Sequence, residues 1–402
     1  MKILGIETSC DETAASVVED GVKILSDVVV SQIDIFAEYG GVIPEVAARS
    51  HLEAIMPVVN KALKDAGCTW EDIDAIAVTH APGLLGSLLV GTLTARTLAI
   101  LHNKPLYATH HLKSHVYSNW LQGAGVADVS QRRGVRSAAA RGVAPAARGA
   151  RPLGRELPKA NGPAGRAPER EISDRTPAPM FPLIALVVSG GHTQILYMPA
   201  HNQFEIIGTT QDDAVGECFD KVAKILGLPY PGGPSIAKAA EAGNPQKYKL
   251  PHPNVKGLDF SFSGLKTAVL RAVQKELSLP ISHPSHDLKN HLTPEQVADF
   301  AASFQKTAVD ILTEKIATAI QAHPEVKSIV VAGGVSANQL LKSTLETYVK
   351  NQGLAFFCPD PKLSGDNGAM VAAAAYYEIK SGIKPTDPYT LNIYPRISIE
   401  SH

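Results

Sequence analysis

The sequence predicts an α/β protein built on a duplicated plan. Strand-like and helix-like segments alternate along the chain, a strand–loop–strand unit occurs twice, and the composition is that of a chain with a substantial core. Its 402 residues are 45% hydrophobic, 19% charged and 6% aromatic, which excludes a wholly disordered protein. At about 150 residues per domain the length suits two or three domains. Cys10, Cys68, Cys218 and Cys358 are too dispersed for a zinc or redox CxxC and too few for a disulfide scaffold, so a reducing, cytoplasmic compartment is expected. Acidic Glu7, Asp11 and Glu12 come before any apolar run of signal-peptide length, so secretion is not expected.

In chain order, MKILGIETSCDETAASVVEDG reads as strand, polar tip and strand, with Asp11 and Glu12 on the tip. His51 to Ala66 carries apolar residues at 52, 55, 56, 59, 62 and 63, one face of a helix. IDAIAVTH, 73–80, reads as a strand, after which Pro82 and Gly83 turn the chain into a small-residue helix over 84–101. That window is apolar, but Arg96 and the hydroxyls of Ser87, Thr92, Thr94 and Thr97 make it a buried helix rather than a membrane span. FPLIALVVSGGHTQILYMPA then repeats the opening hairpin. DDAVGECFDKVAKILGL is an amphipathic helix bearing Asp220. VKSIVVAGG, 326–334, is a strand running through Gly333 and Gly334 into a helix near Ser336 or Ala337, and an Ala-rich helix ends near Ile379.

Between the two hairpin-led halves lies a different composition. Residues 129–177 are dominated by Arg, Ala, Gly and Pro and contain no aromatic residue; within them, 130–176 hold ten Arg and one Lys against four acids, in a chain of net charge −1. This segment reads as a disordered insertion or as an arm that contacts RNA.

His111 and His115 in THHLKSHVYSNW are four apart, so on a helix their rings share a face and can converge on one zinc or iron ion. The bland reading is a helix with surface histidines. A metalloprotease would need Glu beside the first histidine as general base, and Leu112 stands there. SHPSHDLKNH, with His283, His286 and His291 in a polar loop, reads as solvated loop. VVSGGHT at 187–193, YPGGPS with Gly232 and Gly233, and AGGVSANQ are turns whose backbone amides can approach an anion, and together they suit a nucleotide-like ligand. Each candidate carboxylate also has a structural reading: Asp11 as a turn residue, Asp220 as an exposed helix acid, Asp366 as the N-cap of the Ala-rich helix.

Taken together, GIETSCDETA, GGVIPEVAAR, PGLLGSLLVG, HHLKSH, VVSGGHTQ, ECFDKVAKILGL, YPGGP, GLDFSFSGLKT, AGGVSAN and GDNGAM occur in the order seen in the tRNA adenosine threonylcarbamoyltransferases, once described as O-sialoglycoprotein endopeptidases, and the sequence resembles that family over nearly all of its length outside the insertion. The resemblance implies the two-lobed actin, Hsp70 and sugar-kinase architecture, with lobe I over 1–115 completed by the helix near 366–382, and lobe II over 116–365 interrupted by 129–177. It implies transfer of a threonylcarbamoyl group from threonylcarbamoyl-adenylate to N6 of the adenosine just 3′ of the anticodon, in tRNAs reading codons that begin with A, to form t6A and release AMP. His111, His115 and Asp366 would hold one divalent metal ion per subunit, with Fe2+ the usual ion and Zn2+ the alternative. Val187, Val188, Ser189, Gly190, Gly191, Asp220, Gly233 and Asn338 would hold the substrate. Asp11 and Glu12 are candidates for accepting the amine proton or orienting the adenylate. Expected partners are tRNA, a shorter inactive paralogue forming a heterodimer, and a small P-loop ATPase, without a membrane.

Two departures accompany the likeness. His80 and Ala81 in THAPG replace the TAGPG of the family, and Gly365 stands before Asp366 where Thr is common. The rival readings are an ATP-driven binding module like Hsp70 or actin, which has no need of paired histidine ligands, and a metallopeptidase.

Overall fold

Apolar runs that are covered on both faces make the central strands, and here two such runs head two sheets. A computed structural model describes residues 1–123, 178–253 and 255–401; the Arg-rich segment expected over 129–177 lies outside the described residues. The first sheet comprises β1 (Lys2–Glu7), β2 (Glu12–Glu19), β3 (Lys23–Ser31), β4 (Ala75–Ala81), β5 (Leu106–His110) and the short β6 (Gln122–Gly123), in the order β5-β4-β1-β2-β3-β6. The second comprises β7 (Leu183–Val188), β8 (Thr193–Met198), β9 (Glu205–Thr209), β10 (Ser328–Ala332) and β11 (Ala355–Phe357), in the order β11-β10-β7-β8-β9.

Setting β6 aside, the two orders are the same wiring. In each, the first strand pairs antiparallel with the second and parallel with the fourth, as β1 does with β2 and β4, and β7 with β8 and β10. The hairpin echo in the sequence is thus a duplicated sheet. Both hairpin tips, residues 8–11 and 189–192, follow the carboxyl end of a central strand, the edge where open α/β sheets carry their ligands.

Helices α1 (Ile33–Ala37), α2 (Pro44–Asp65) and α3 (Leu85–Leu101) belong to the first half. α2 starts earlier than the periodicity predicts, with Pro44 in its first turn, where no N–H is needed. Its buried face is Ala47, His51, Ile55, Val58, Val59, Ala62 and Leu63, while Leu52 and Met56, expected on that face, point outward. α4 (His111–Tyr117) follows β5 without a linker. In the second half, α5 (Val215–Leu226), α6 (Gly232–Ala240), α7 (Ser263–Glu276), α8 (Pro294–Ala322) and α9 (Gln339–Asn351) surround a core containing Phe219, Phe260, Phe262, Phe300 and Phe304. The helix expected near Ser336 begins at Gln339 instead, because a tight turn over Gly334–Ala337 precedes its N-cap Asn338.

The last helix, α10 (Gly368–Lys380), joins the two halves. Ala369 to Ala372 pack with Ile3, Val18 and Ala77 of the first sheet, and Ala373 and Ala374 pack with Val187 and Val330 of the second. Small residues permit this. A Cβ on Gly5 would collide with the Gly368 carbonyl, and one on Gly368 with the backbone of Ala15 and Ser16, so the helix start rests directly on β1 and β2. The described residues contain no helix long and apolar enough to cross a membrane.

Candidate functional site

The strand-to-helix junction at His110 presents the histidine pair. His110 caps α4 by accepting from the amide of Leu112, which starts the helix so that His111 and His115 lie one turn apart. Their ring centroids are 4.5 Å apart. The third ligand comes from far along the chain: Asp366 Oδ1 lies 3.0 Å from His115 Nε2 and 3.7 Å from His111 Nε2. All three donor atoms fall within 4.8 Å of one another.

Capping does not claim Asp366. Asn367 is the N-cap of α10, accepting from the Met370 amide at 2.8 Å and donating to the carbonyls of Leu363 and Gly365. The aspartate is therefore left to face the imidazoles. Its carboxyl would rise on burial, but the two histidines, with His192 beyond them, hold it down to about 2. Burial likewise opposes charge on His111, yet Asp366 and Glu7 outweigh it and push the ring up to about 9. His115 is fully buried; its Nδ1 has no hydrogen-bond partner among the described residues, and its Nε2 faces Asp366 Oδ1 at 3.0 Å. Two imidazoles and one carboxylate, with an orphaned buried nitrogen, fit a divalent transition metal.

Sequence reasoning missed the residue behind His111. Glu7, at the end of β1, is completely buried; its Oε1 accepts from the Ser9 amide at 2.5 Å and its Oε2 from Thr79 Oγ1 at 2.6 Å. Oε2 also lies 3.3 Å from His111 Nδ1, and Ser9 Oγ lies 3.2 Å from the same nitrogen. A carboxylate there keeps the proton on Nδ1, so that when a metal ion displaces the other ring proton the Nε2 lone pair is the one offered as a ligand. The only local signal was an acid ending an otherwise apolar strand.

The first hairpin tip brings more acids to this place. Burial and then the carboxylates of Asp366 and Asp11 push Glu12 well above the ordinary carboxylate range, while its Oε1 accepts from Ser31 Oγ at 3.1 Å. Burial, Asp11 and Asp366 likewise push the Cys10 thiol upward, which makes it a poor nucleophile. His51 of α2 holds the tip, with Nε2 3.0 Å from the Cys10 carbonyl and Nδ1 2.8 Å from Thr13 Oγ1.

The second half supplies bare backbone. Val187 and Val188 are sealed in β7, but a Cβ on Gly190, Gly191, Gly233 or Gly334 would meet open space. The tip closes through Ser189, whose amide donates to the His192 carbonyl and whose hydroxyl accepts from the His192 amide. Burial, and then the nearby His111 and His115, push His192 down to about 4. Asp220 Oδ1 accepts from the Gly232 amide at 2.6 Å, so this acid shapes the Tyr230–Gly233 turn instead of standing free on the helix. Burial raises its carboxyl, with Glu217 and Asp11 adding to the effect, and Asp11 and Asp220 both bear on Tyr230, whose phenol is pushed up chiefly by burial. Asn338 caps α9 and donates to Gln305 Oε1 at 3.0 Å.

Comparison with known proteins gives the family. The family model for tRNA N6-adenosine threonylcarbamoyltransferase matches residues 23–131 and 168–373. The chain belongs to the tRNA N6-adenosine threonylcarbamoyltransferase family. The transferase of that name from Symbiobacterium thermophilum is 42% identical over 383 residues, covering 95% of this chain and 93% of the relative. That of Bacillus subtilis is 39% identical over 405 residues, covering 100% and 97%. Among solved structures, T. kodakarensis HypF superposes with a TM-score of 0.51 at 14% identity, over 94% of this chain and 48% of that one. This last likeness shows the fold alone, the duplicated actin- and Hsp70-like plan.

Proposed function

We propose that this member of the threonylcarbamoyltransferase family moves a threonylcarbamoyl group from threonylcarbamoyl-adenylate to N6 of the adenosine just 3′ of the anticodon, forming t6A and releasing AMP. The observation that carries the reading is the convergence of His111, His115 and Asp366 beside an acidic hairpin tip, in a chain whose second hairpin tip has open space where Gly190 and Gly191 would carry a Cβ. The metallopeptidase reading lacks a base: Leu112 occupies that position, almost fully buried.

An adenine amine is a weak nucleophile, because its lone pair is delocalised into the ring, so the acyl group must arrive on a good leaving group. The amides at Gly190 and Gly191 bind the phosphate side of the donor, and Gly233 leaves room for the nucleoside. Held by His111, His115 and Asp366, a divalent ion, Fe2+ or alternatively Zn2+, would supply Lewis-acid polarisation of the donor's oxygens. The N6–carbonyl bond forms as the carbonyl–phosphate bond breaks and AMP leaves with the electron pair. Burial and the neighbouring Asp366 and Asp11 carboxylates disfavour charge on Glu12, so Asp11, on the same hairpin tip, is assigned as the group that accepts the proton from N6. The two walls of this site are read as the two lobes, with the 366–382 helix returning to the first; β6 (Gln122–Gly123) pairs with β3, so the first sheet runs past the boundary expected at 115.

A shorter inactive paralogue and a small P-loop ATPase complete the proposal. Leu85, Leu89 and Leu93 are exposed at one-turn spacing on α3, and Leu52 and Met56 are exposed on α2, the helix packed against it, which supports a protein partner on these helices. The test combines the purified chain with partners, a synthase, threonine, bicarbonate, ATP and unmodified tRNA, and analyses nucleosides by mass for t6A. Single-turnover transfer from preformed adenylate separates the acids: Asp11→Ala slows it about 100-fold or more, and unchanged rates for both Asp11→Ala and Glu12→Ala remove them from the chemistry.

A further inference from the structure

The loop between α7 and α8 contains a second convergence of metal-ligating side chains. Sequence alone reads SHPSHDLKNH as solvated loop, but the fold brings three of its residues onto one point. His283 Nε2 lies 2.9 Å and His291 Nε2 3.0 Å from the same oxygen, Asp287 Oδ2, and the three donors lie within 4.8 Å of one another. We propose that His283, Asp287 and His291 form a surface site for a late first-row divalent cation such as Zn2+, distinct from the His111, His115 and Asp366 centre.

The donor spacing fits. Zinc–ligand bonds of about 2.0–2.1 Å place tetrahedral ligands roughly 3.3 Å apart, so an ion entering here needs each imidazole to part from Asp287 Oδ2 by only a few tenths of an ångström, and the two imidazole donors already lie within 4.8 Å of each other. The ligand positions are four residues apart in each step, the spacing that serves His111 and His115, and the intervening backbone is a run of tight turns. The amide of His283 donates to Pro280, Asp287 to Pro284, Asn290 to Asp287 and His291 to Leu288.

The loop is also fastened from beneath. Gln274 of α7, almost fully buried, donates to the carbonyls of Ile281 and His283, and Leu288 is sealed in the core. Asp287 is oriented by a further partner, since its Oδ1 accepts from Asn290 Nδ2 at 2.9 Å. Two imidazoles with one carboxylate select zinc, copper or nickel over magnesium or calcium, and the partial exposure of all three residues leaves a coordination position for water. Such an ion would staple the α7–α8 connection into one conformation.

The test strips the full chain of metal and titrates Zn2+ by calorimetry with elemental analysis, then repeats with Co2+ to read its ligand-field absorption. The wild type takes two equivalents. The His283→Ala/His291→Ala variant takes one, as does Asp287→Asn, which preserves shape; both lose the matching part of the cobalt spectrum and bind the lost equivalent at least 10-fold more weakly. The His111→Ala/His115→Ala variant keeps that equivalent. A single equivalent in the wild type, or two in either loop variant, overturns the proposal.

Discussion

Replacing Glu7 by Gln changes one oxygen to an amide nitrogen and leaves volume nearly constant. Both oxygens of the native side chain accept hydrogen bonds: Oε1 from the Ser9 amide and Oε2 from Thr79, with His111 Nδ1 beside it. Glutamine cannot satisfy this set. With its oxygen toward Ser9, its NH2 faces His111 Nδ1 and favours the opposite tautomer, which places the proton on the metal-binding nitrogen. With the amide reversed, NH2 confronts the Ser9 N–H, a buried donor–donor contact worth about 1–3 kcal/mol. Ser9 Oγ, 3.2 Å from Nδ1, can take over part of the orienting role. Loss of such a partner lowers metal affinity by about 10–100-fold, or about 1.4–2.7 kcal/mol, and the serine places the expectation near the lower end. Competition with a chromophoric chelator, on metal-stripped full-length protein, measures it directly. Affinity unchanged within about twofold, in a variant with native circular dichroism, refutes the orienting role.

Other consequences are as direct. Asp366→Ala and His115→Ala each lower bound metal from the first centre by at least about 10-fold, read by elemental analysis after dialysis; full retention by both removes the triad. Gly5→Ala drives a methyl into the Gly368 carbonyl, so β1 and α10 must separate. The expected loss is about 1–3 kcal/mol in urea denaturation, accompanied by weaker metal retention because Asp366 moves with α10, and an unchanged midpoint refutes the close approach. Asp27, half-buried and hydrogen-bonded by Ser16, is pushed up by burial from 3.8 to about 6. The native state therefore binds this proton more tightly than the unfolded chain, and the stability it contributes is present below about pH 4 and lost as pH rises through 6. Asp27→Asn removes that loss, becoming relatively more stable across this window by roughly 1–3 kcal/mol; a pH-independent difference between the two proteins refutes the assignment.

Much of the candidate site is local, and to that extent it is legible in the chain. A four-residue spacing puts His111 and His115 on one helical face wherever the helix lies, and paired glycines after an apolar strand mark Gly190 and Gly191 as exposed backbone. The repeated hairpin likewise anticipates a duplicated plan, seen as two sheets of the same strand order once β6 is set aside. Helix starts were less legible. Pro44 and Asn338 set the starts of α2 and α9, where apolar periodicity carries no signal. The neglected His283–Asp287–His291 cluster shows the same limit, since a polar loop has no periodicity to say which side chains meet.

What the amino-acid order determined by itself is therefore the set of parts: the strands, the helix with its two imidazoles, the bare turns, the acids on the tip. Which parts meet was decided by tertiary structure. Asp366 could have capped its own helix, and only the docking of α10 onto β1 and β2, with Asn367 taking the cap, turns its carboxylate to the histidines. Glu7 acquires its role because parallel pairing of β1 with β4 sets it against Thr79 beneath His111. Periodicity reports one element's faces, whereas the distance between elements depends on sheet order and on how closely two backbones can approach.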